Sequence, residues 1–192
     1  MSARLYLFNK PYLVLSQFRD SEGRETLATY LEDPDIRVAG RLDYDSEGLL
    51  LLTDDGQLAQ QITNPRHKTW KRYLVQVEGE PTPASLAMLR AGVALKDGYT
   101  RPAKVELLAK APELWQREPP IRKRMNQPTS WLRLQIMEGR NRQVRRMCAA
   151  VGYPVLRLVR ERIGDWQLED MQPGEFRILP VNMPKRPTGK RG

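Results

Sequence analysis

The residues best suited to chemistry stand in one short segment, GRLDYDSEG, at positions 40–48. It holds one arginine and three acidic residues between two glycines: Arg41, Asp43, Asp45 and Glu47. Four leucines follow and turn residues come after them, so the apolar run 49–52 is predicted to be a buried strand. A polar loop joined to a buried strand is held rigidly. A catalytic carboxylate needs that rigidity, because a small error of position greatly lowers the rate.

A second candidate segment is the arginine-rich stretch EGRNRQVRRM at 138–147. Helical periodicity predicts a helix that starts near Asn141, ends at Gly152 and has one apolar face: Val144, Met147, Cys148 and Val151. Arg142 and Arg146 are predicted to face outward, and Arg145 to lie on the flank, where it could reach a carboxylate inside. Cations at a helix start are unfavourable, so we expect Arg140 and Arg142 to meet an anion there, and a phosphate fits.

The elements that must position these two segments interleave without strict alternation, which favours an α+β fold. Helices are predicted over 25–31, over 57–63 before Asn64-Pro65, and from Thr82-Pro83 to Gly92. Strands are predicted over 71–77, 131–136 and 155–159. In the first of these, Tyr73 shares a face with Val75 and Val77. In the second, Leu132, Leu134 and Ile136 are predicted to face the core.

Length and charge narrow the class of protein. The 192 residues fit one catalytic unit at 1–180, with lobes at about 1–66 and 67–180, followed by a basic tail at 181–192. Segment 112–130 is rich in proline and basic residues and is interpreted as an exposed loop. The net charge of +9 points to a polyanionic partner, first of all a nucleic acid. No segment is apolar enough to cross a bilayer or to serve as a signal peptide.

Simpler interpretations compete with these. Asp43, Asp45, Gly48 and Asp54 mimic the spacing of a calcium loop, although its last ligand should be a glutamate. The loop could also be purely structural, with its aspartates capping turns, and the arginines could be a solvated helix face. One cysteine, Cys148, and one histidine, His67, rule out an internal disulfide and argue against a zinc site.

Taken in order along the chain, the motifs resemble the pseudouridine synthases, in the branch that modifies ribosomal RNA. The matching segments are Asn9-Lys10-Pro11, Gly40-Arg41-Leu42-Asp43 with Asp45, 48–53, Lys71-Arg72-Tyr73, 138–147, Gly152 and 158–160. The block at 138–147 is highly specific and the aspartate block nearly so. Many relatives begin with a small S4-type RNA-binding domain, and here the first motif starts too early to leave room for one.

The resemblance implies a mixed, mainly antiparallel central sheet with flanking helices and an active-site cleft across its middle. It implies that Asp43 is the catalytic aspartate, that Arg41 fills the gap left by a flipped base, and that Tyr73 stacks on the uracil. It also implies that Arg145 pairs with the aspartate and that Leu158 lines the pocket. The expected RNA-binding residues are Lys71, Arg140, Arg142 and Arg146. Neither a metal nor an organic cofactor is expected.

The expected reaction is the isomerisation of uridine to pseudouridine in ribosomal RNA, with 23S RNA of the large subunit as the expected substrate. The base must leave the stack, at a cost of a few kcal/mol, and the carboxylate acts on the ribose as a nucleophile or as a base. We expect a cytoplasmic monomer. The alternative from another class is a non-catalytic ribosomal RNA-binding or ribosome-assembly protein.

Overall fold

The computed structural model describes residues 2–122 and 126–184, and all statements of structure concern these. The strands are β1 (Ser2–Lys10), β2 (Arg37–Val38), β3 (Glu47–Thr53), β4 (Lys71–Glu78), β5 (Ala94–Leu95), β6 (Gly98–Tyr99), β7 (Lys104–Leu107), β8 (Thr129–Ile136), β9 (Val155–Ile163), β10 (Trp166–Gln167) and β11 (Phe176–Asn182). The helices are α1 (Gly56–Thr63), α2 (Pro83–Ala91) and α3 (Gln143–Ala150).

One large sheet organises the chain. Its strand order is β11-β1-β3-β9-β4-β8-β7, with β2 beside β3 and β10 beside β9. The pair β3–β9 is parallel and the other pairs are antiparallel, so the predicted mixed, mainly antiparallel α+β fold is confirmed. Strand β11 returns to pair with β1, so one half of the sheet is built from both ends of the described chain.

The apolar patterns of the sequence explain the core. All seven residues of β3 are buried, as a central strand covered on both faces requires. In β8 the predicted inward residues Leu132, Leu134 and Ile136 are at most 3% exposed. Strand β4 has Tyr73 in the same cluster as Val75, while Leu74 packs in a second cluster. The period-two pattern therefore identified the faces of both strands.

Local signals fix most helix ends. Thr82 caps α2 by accepting a hydrogen bond from the Ser85 N–H, and Gly92 ends that helix with φ 109°. The predicted helix over 25–31 is wrong: only a 3-10 turn, Leu27–Thr29, forms there. Helix α3 begins later than expected, at Gln143, because Arg142 has a left-handed backbone with φ 50°.

The basic loop is not simply exposed. Trp115 is half-buried, and its indole N–H donates to the Glu47 carboxylate at 2.8 Å. The Arg117 guanidinium lies 4.0 Å from the centre of the Tyr12 ring. The loop is therefore anchored to the strand that follows the acidic segment. Val181 and Asn182 belong to β11 and pair with β1, so the predicted tail at 181–192 starts too early. Residues 123–125 of the loop and residues 185–192 of the predicted tail lie outside the described residues.

Candidate active site

A cavity of about 610 Å³ lies where the two halves of the sheet meet. It is lined by residues of the loop before β3, of β4, of β9 and of the segment that leads into α3. Seven of the residues predicted for the site line it: Arg41, Asp43, Lys71, Tyr73, Arg140, Arg142 and Leu158. The parallel contact of β3 with β9 thus brings together segments separated by about a hundred residues.

The N-terminal segment holds the acidic loop from one side. The Ser16 hydroxyl donates to the Leu42 carbonyl, and the Leu42 N–H donates back to that hydroxyl at 3.1 Å. The Leu13 N–H donates to the Tyr44 carbonyl at 2.9 Å. These contacts fix the backbone immediately before and after Asp43.

Lys10 lies fully buried under the same loop. Its ammonium donates to the carbonyls of Pro11 and Val14 at 2.8 Å and to that of Tyr44 at 3.5 Å. Burial lowers the pKa of Lys10 to about 7, although the nearby Glu47 carboxylate raises it in part. Sequence reasoning matched Lys10 only as part of a motif. The sequence signal of its structural role was its place shortly after the apolar run LYLF, at the end of β1.

Strand β9 holds the loop from the other side. The buried Arg160 donates to the Leu49 carbonyl at 2.9 Å, and its guanidinium reaches the carbonyls of Gly40 and Arg41 at 3.5 and 3.4 Å. Gly48 has φ 110°, and a Cβ there would lie 2.8 Å from the Arg160 nitrogen. Only glycine fits that close approach of two backbones. Sequence reasoning did not assign a role to Arg160.

Arginines from the start of α3 meet the acidic loop. Arg142 donates to both carboxylate oxygens of Asp45, at 3.0 and 2.9 Å, and lies 3.5 Å from the Asp43 carboxylate. Arg142 is exposed, as predicted, but it pairs with the acidic loop instead of standing free. The helical wheel does not apply to it, because its left-handed backbone places it before the helix.

Arg145 is largely buried on the flank of α3, as predicted. However, its guanidinium donates to the carbonyl of Asp45 at 2.7 Å and to the Ser46 hydroxyl at 3.3 Å. The predicted pairing of Arg145 with Asp43 is therefore replaced by contacts with Asp45, through its carbonyl and through its carboxylate at 3.6 Å. Arg145 holds the shape of the loop in this structure.

The two aspartates of the loop, Asp43 and Asp45, differ in how their carboxylates are bound by neighbouring arginines. Burial tends to raise the pKa of Asp45, but the hydrogen bonds from Arg142 and the charge of Arg145 outweigh it and lower that pKa below its ordinary value. Asp45 is thus an ionised structural partner. The Asp43 side chain is 38% exposed and lines the cavity. It is the carboxylate of the loop that a bound molecule could reach.

The apolar side of the cavity is formed by neighbouring strands. Tyr73 on β4 is 8% exposed and Leu158 on β9 is 5% exposed, and both belong to the core cluster that includes Val144 of α3. The Lys71 ammonium donates to the Glu138 carbonyl at 3.3 Å, and burial lowers the pKa of Lys71. A flat aromatic ring beside cations suits a planar base with an attached phosphate.

A buried glutamine, Gln143, shapes the segment between β8 and α3. The Gln143 side chain accepts from the Arg140 N–H at 3.2 Å and donates to the Glu138 carboxylate at 3.0 Å. That carboxylate also accepts from the Arg101 N–H at 2.7 Å. Gln143 belongs to the specific block 138–147, but sequence reasoning assigned it no role.

The calcium interpretation is not supported by the contacts. Asp54 accepts hydrogen bonds from Arg4, and Glu47 is paired with Arg157. Within residues 2–122 and 126–184, no three His, Cys, Asp or Glu side chains gather as metal ligands. Across the same residues, no helix has the length and apolar character that spanning a membrane requires.

Comparison with known proteins shows which family the chain resembles. The family model described as RNA pseudouridylate synthase matches residues 4–150. The chain is 61% identical over 171 residues to the ribosomal large subunit pseudouridine synthase E of Xanthomonas axonopodis pv. citri, covering 88% of this chain and 90% of that protein. It is 38% identical to the ribosomal small subunit pseudouridine synthase A of Salmonella typhimurium, covering 92% of this chain and 70% of that one.

A solved structure agrees in fold. A pseudouridylate synthase crystal structure superposes with a TM-score of 0.76 at 33% identity, over 94% of this chain and 70% of that one. The predicted pseudouridine synthase fold is thereby confirmed.

Proposed function

The chain belongs to the RNA pseudouridylate synthase family, and we propose that it isomerises uridine to pseudouridine in ribosomal RNA of the large subunit. The family makes it an isomerase. The large-subunit substrate is supported by relatives of 55–61% identity that carry that substrate in their names. The observation that carries the proposal within the site is the placement of Asp43, exposed to the cavity, on a loop held from three sides.

We propose Asp43 as the catalytic carboxylate. The reaction breaks the N1–C1′ bond of uridine, turns the uracil and joins C5 to C1′, so a proton leaves C5 and one is gained at N1 with no net change of atoms. An ionised carboxylate can attack the ribose as a nucleophile or remove a proton from it as a base. Arg142 gives Asp45 two hydrogen bonds but lies only within 3.5 Å of Asp43, which lines the cavity, so Asp43 is the more available acid of this loop.

We propose that the cavity receives an extruded uridine. Flipping a base costs a few kcal/mol, which stacking and phosphate contacts offset. Tyr73 supplies the ring, Leu158 the apolar wall beside it, and Arg41, exposed and hydrogen-bonded only loosely to Gln17 at 3.2 Å, is placed to enter the gap left by the base. The phosphates of the RNA backbone are attracted by the positive charges of Lys71, Arg140, Arg142 and Arg146.

The residues of the site supply the acid, the ring and the cations themselves. We therefore propose a monomeric enzyme of the cytoplasm that needs neither a metal nor an organic cofactor. Undiminished turnover after dialysis against a chelator would support the metal-free part, and a single species at the monomer mass in light scattering would support the monomer.

The test is Asp43→Asn with Asp45→Asn as its matched control. The amide has nearly the same shape but can be neither nucleophile nor base, so Asp43→Asn should abolish pseudouridine formation while RNA affinity and thermal stability stay near those of the parent. Asp45→Asn should keep catalysis but lower stability, since it loses the Arg142 pair. Near-parental turnover by Asp43→Asn would contradict the assignment and favour a non-catalytic RNA-binding role.

The substrate is tested by mapping pseudouridines in ribosomal RNA from cells with and without this protein. We expect a site in the large-subunit RNA to remain uridine when the protein is absent. An unchanged large-subunit map with a lost site in small-subunit RNA would contradict the proposed substrate but not the proposed chemistry.

A further inference from the structure

A small hairpin stands at the rim of the cavity, outside the main sheet. It consists of β5 and β6, with Lys96-Asp97 as its two-residue turn. Its base is fixed, because the buried residues Val93 and Thr100 exchange two hydrogen bonds of 2.9 Å. Its turn and β6 are exposed. The hairpin thus presents an exposed tip from an anchored base.

The tip is attached to the rest of the protein through Asp97. Arg146 donates to its two carboxylate oxygens at 2.7 and 3.3 Å, and Arg140 donates to both as well. Arg140 also donates to the carbonyls of Gly98 and Tyr99, at 3.0 and 3.1 Å. Two guanidinium groups therefore converge on one carboxylate, and one of them belongs to a residue that lines the cavity.

The contact has the chemistry of a phosphate site. A phosphodiester, like a carboxylate, carries one negative charge and two terminal oxygens that accept from guanidinium groups. The Asp97 side chain is 52% exposed, and ion pairs in solvent add little to stability. Because the Asp97 carboxylate is open to solvent, an incoming strand could approach both arginines from the same side.

An exposed aromatic ring lies beside this contact. Tyr99 is 78% exposed, the largest exposure among the large hydrophobic residues of the described chain. Its carbonyl is bound to Arg140, which holds its backbone next to the two guanidinium groups. Proteins bind single-stranded RNA with aromatic rings that stack on bases and with neighbouring cations that contact the phosphates. Tyr99 and the two guanidinium groups have this arrangement.

We propose that the hairpin is an RNA-binding element in which a backbone phosphate takes the place of the Asp97 carboxylate on Arg140 and Arg146, and a neighbouring base stacks on Tyr99. This inference rests on the proposed function, because it assumes that the cavity receives a nucleotide of an RNA strand. In the free protein Asp97 occupies the phosphate site. A free phosphate ion must then displace the Asp97 carboxylate without any other contact to help it. An RNA strand that also fills the cavity has further contacts with the protein, which hold its phosphate beside Arg140 and Arg146.

The first test compares Asp97→Asn with Asp165→Asn. Both changes remove one negative charge, but the Asp165 side chain is fully exposed and lies only within 3.9 Å of Arg162. Asparagine suits the same hairpin turn as aspartate. With a fluorescent transcript of large-subunit ribosomal RNA at about 0.1 M salt, Asp97→Asn should bind about threefold to tenfold more tightly than the parent. Asp165→Asn should stay within about twofold.

The sign of the effect decides the proposal. If Asp97 serves to align the two arginines for RNA, its replacement weakens binding, and a weaker or unchanged affinity would overturn the inference. In an Arg146→Ala background the gain from Asp97→Asn should shrink, because one of the two competing contacts is already gone. An undiminished gain there would also overturn it, since the effect would then be one of general charge.

The second test concerns stacking. Tyr99→Ala should weaken RNA binding about fivefold or more, whereas Tyr99→Phe should bind like the parent. Equal affinities of parent and Tyr99→Ala would overturn the stacking part. Measuring whether the parent converts uridine in the same transcript distinguishes a failure of the hairpin proposal from a failure of the proposed function. Turnover by the parent together with a failed Asp97 or Tyr99 test refutes only the hairpin, while absent turnover refutes the proposed function.

Discussion

The charge of Glu47 is predicted to be needed for the stability of the fold at the acidic loop. Glu47 follows that loop directly and is 1% exposed, and its partner Arg157 is 8% exposed. Arg157 donates to the two oxygens of Glu47 at 2.9 and 3.0 Å, and the Trp115 indole adds a third hydrogen bond at 2.8 Å. Glu47→Gln keeps the volume and one oxygen but leaves the buried guanidinium without its counter-charge.

The magnitude follows from this burial. Removing one partner of a buried ion pair costs about 3–5 kcal/mol, because the other charge stays buried and uncompensated. Glutamine retains one acceptor, so we expect a loss of about 3 kcal/mol in the free energy of unfolding. In a chain of this length each kcal/mol corresponds to about 2–4 °C, so the melting temperature should fall by about 6–12 °C.

The assay is thermal and urea unfolding of the parent, Glu47→Gln and a surface control, Glu106→Gln. The Glu106 side chain is 64% exposed and lies 3.3 Å from Arg133. Because this ion pair is at the surface, removing the charge of Glu106 should lower the free energy of unfolding by only about 0–1 kcal/mol. The double variant Glu47→Gln/Arg157→Gln should cost less than the sum of the two single variants, because both charges are gone. A melting temperature of Glu47→Gln no lower than that of Glu106→Gln would refute the reasoning.

Three further predictions follow from the site. Tyr73→Leu should lower single-turnover rates strongly and Tyr73→Phe mildly if the ring stacks on uracil; equal and severe losses would indicate a role for the hydroxyl. Gly48→Ala should destabilise the protein far more than Gly23→Ala, because both have positive φ but only Gly48 is pressed against the Arg160 backbone; equal melting temperatures would contradict this. Lys10 has a folded pKa of about 7 against 10.5 unfolded, so the unfolded chain binds more protons between these values and stability rises with pH across that window. Urea unfolding at pH 7 and pH 9 should therefore show a larger rise in the parent than in Lys10→Met, where only other groups such as Lys71 contribute; parallel profiles would contradict the lowered pKa of Lys10.

The pairing of the arginines changes how the net charge should be interpreted. Arg142 is held by Asp45, and Arg140 and Arg146 are held by Asp97. Three of the cations expected to bind RNA thus have protein partners in the free protein. RNA must compete with these carboxylates, so affinity depends on where the acidic residues lie as well as on the total of +9.

Much of this protein is determined by local sequence. The leucine run after Gly48 became a fully buried strand, and the alternation at 131–136 identified the inward face of β8. Thr82 and Gly92 marked the ends of α2, because capping depends on residues within one turn. The motif resemblance, too, predicted the family and four of the residues that line the cavity: Arg41, Asp43, Tyr73 and Leu158.

Only the tertiary structure decided which charges meet. The partner of Asp45 lies 97 residues away in the sequence and the partner of Glu47 lies 110 residues away. They meet because the parallel pairing of β3 with β9 joins the two halves of the sheet. The orientation of Arg142 depended on one left-handed residue, which a helical wheel does not contain. The periodicity of a segment shows which face of its own helix or strand a side chain occupies. The ion pair of that side chain depends instead on how distant elements pack. Local patterns therefore did not show that Asp45 would be paired with Arg142 and that Asp43 would line the cavity.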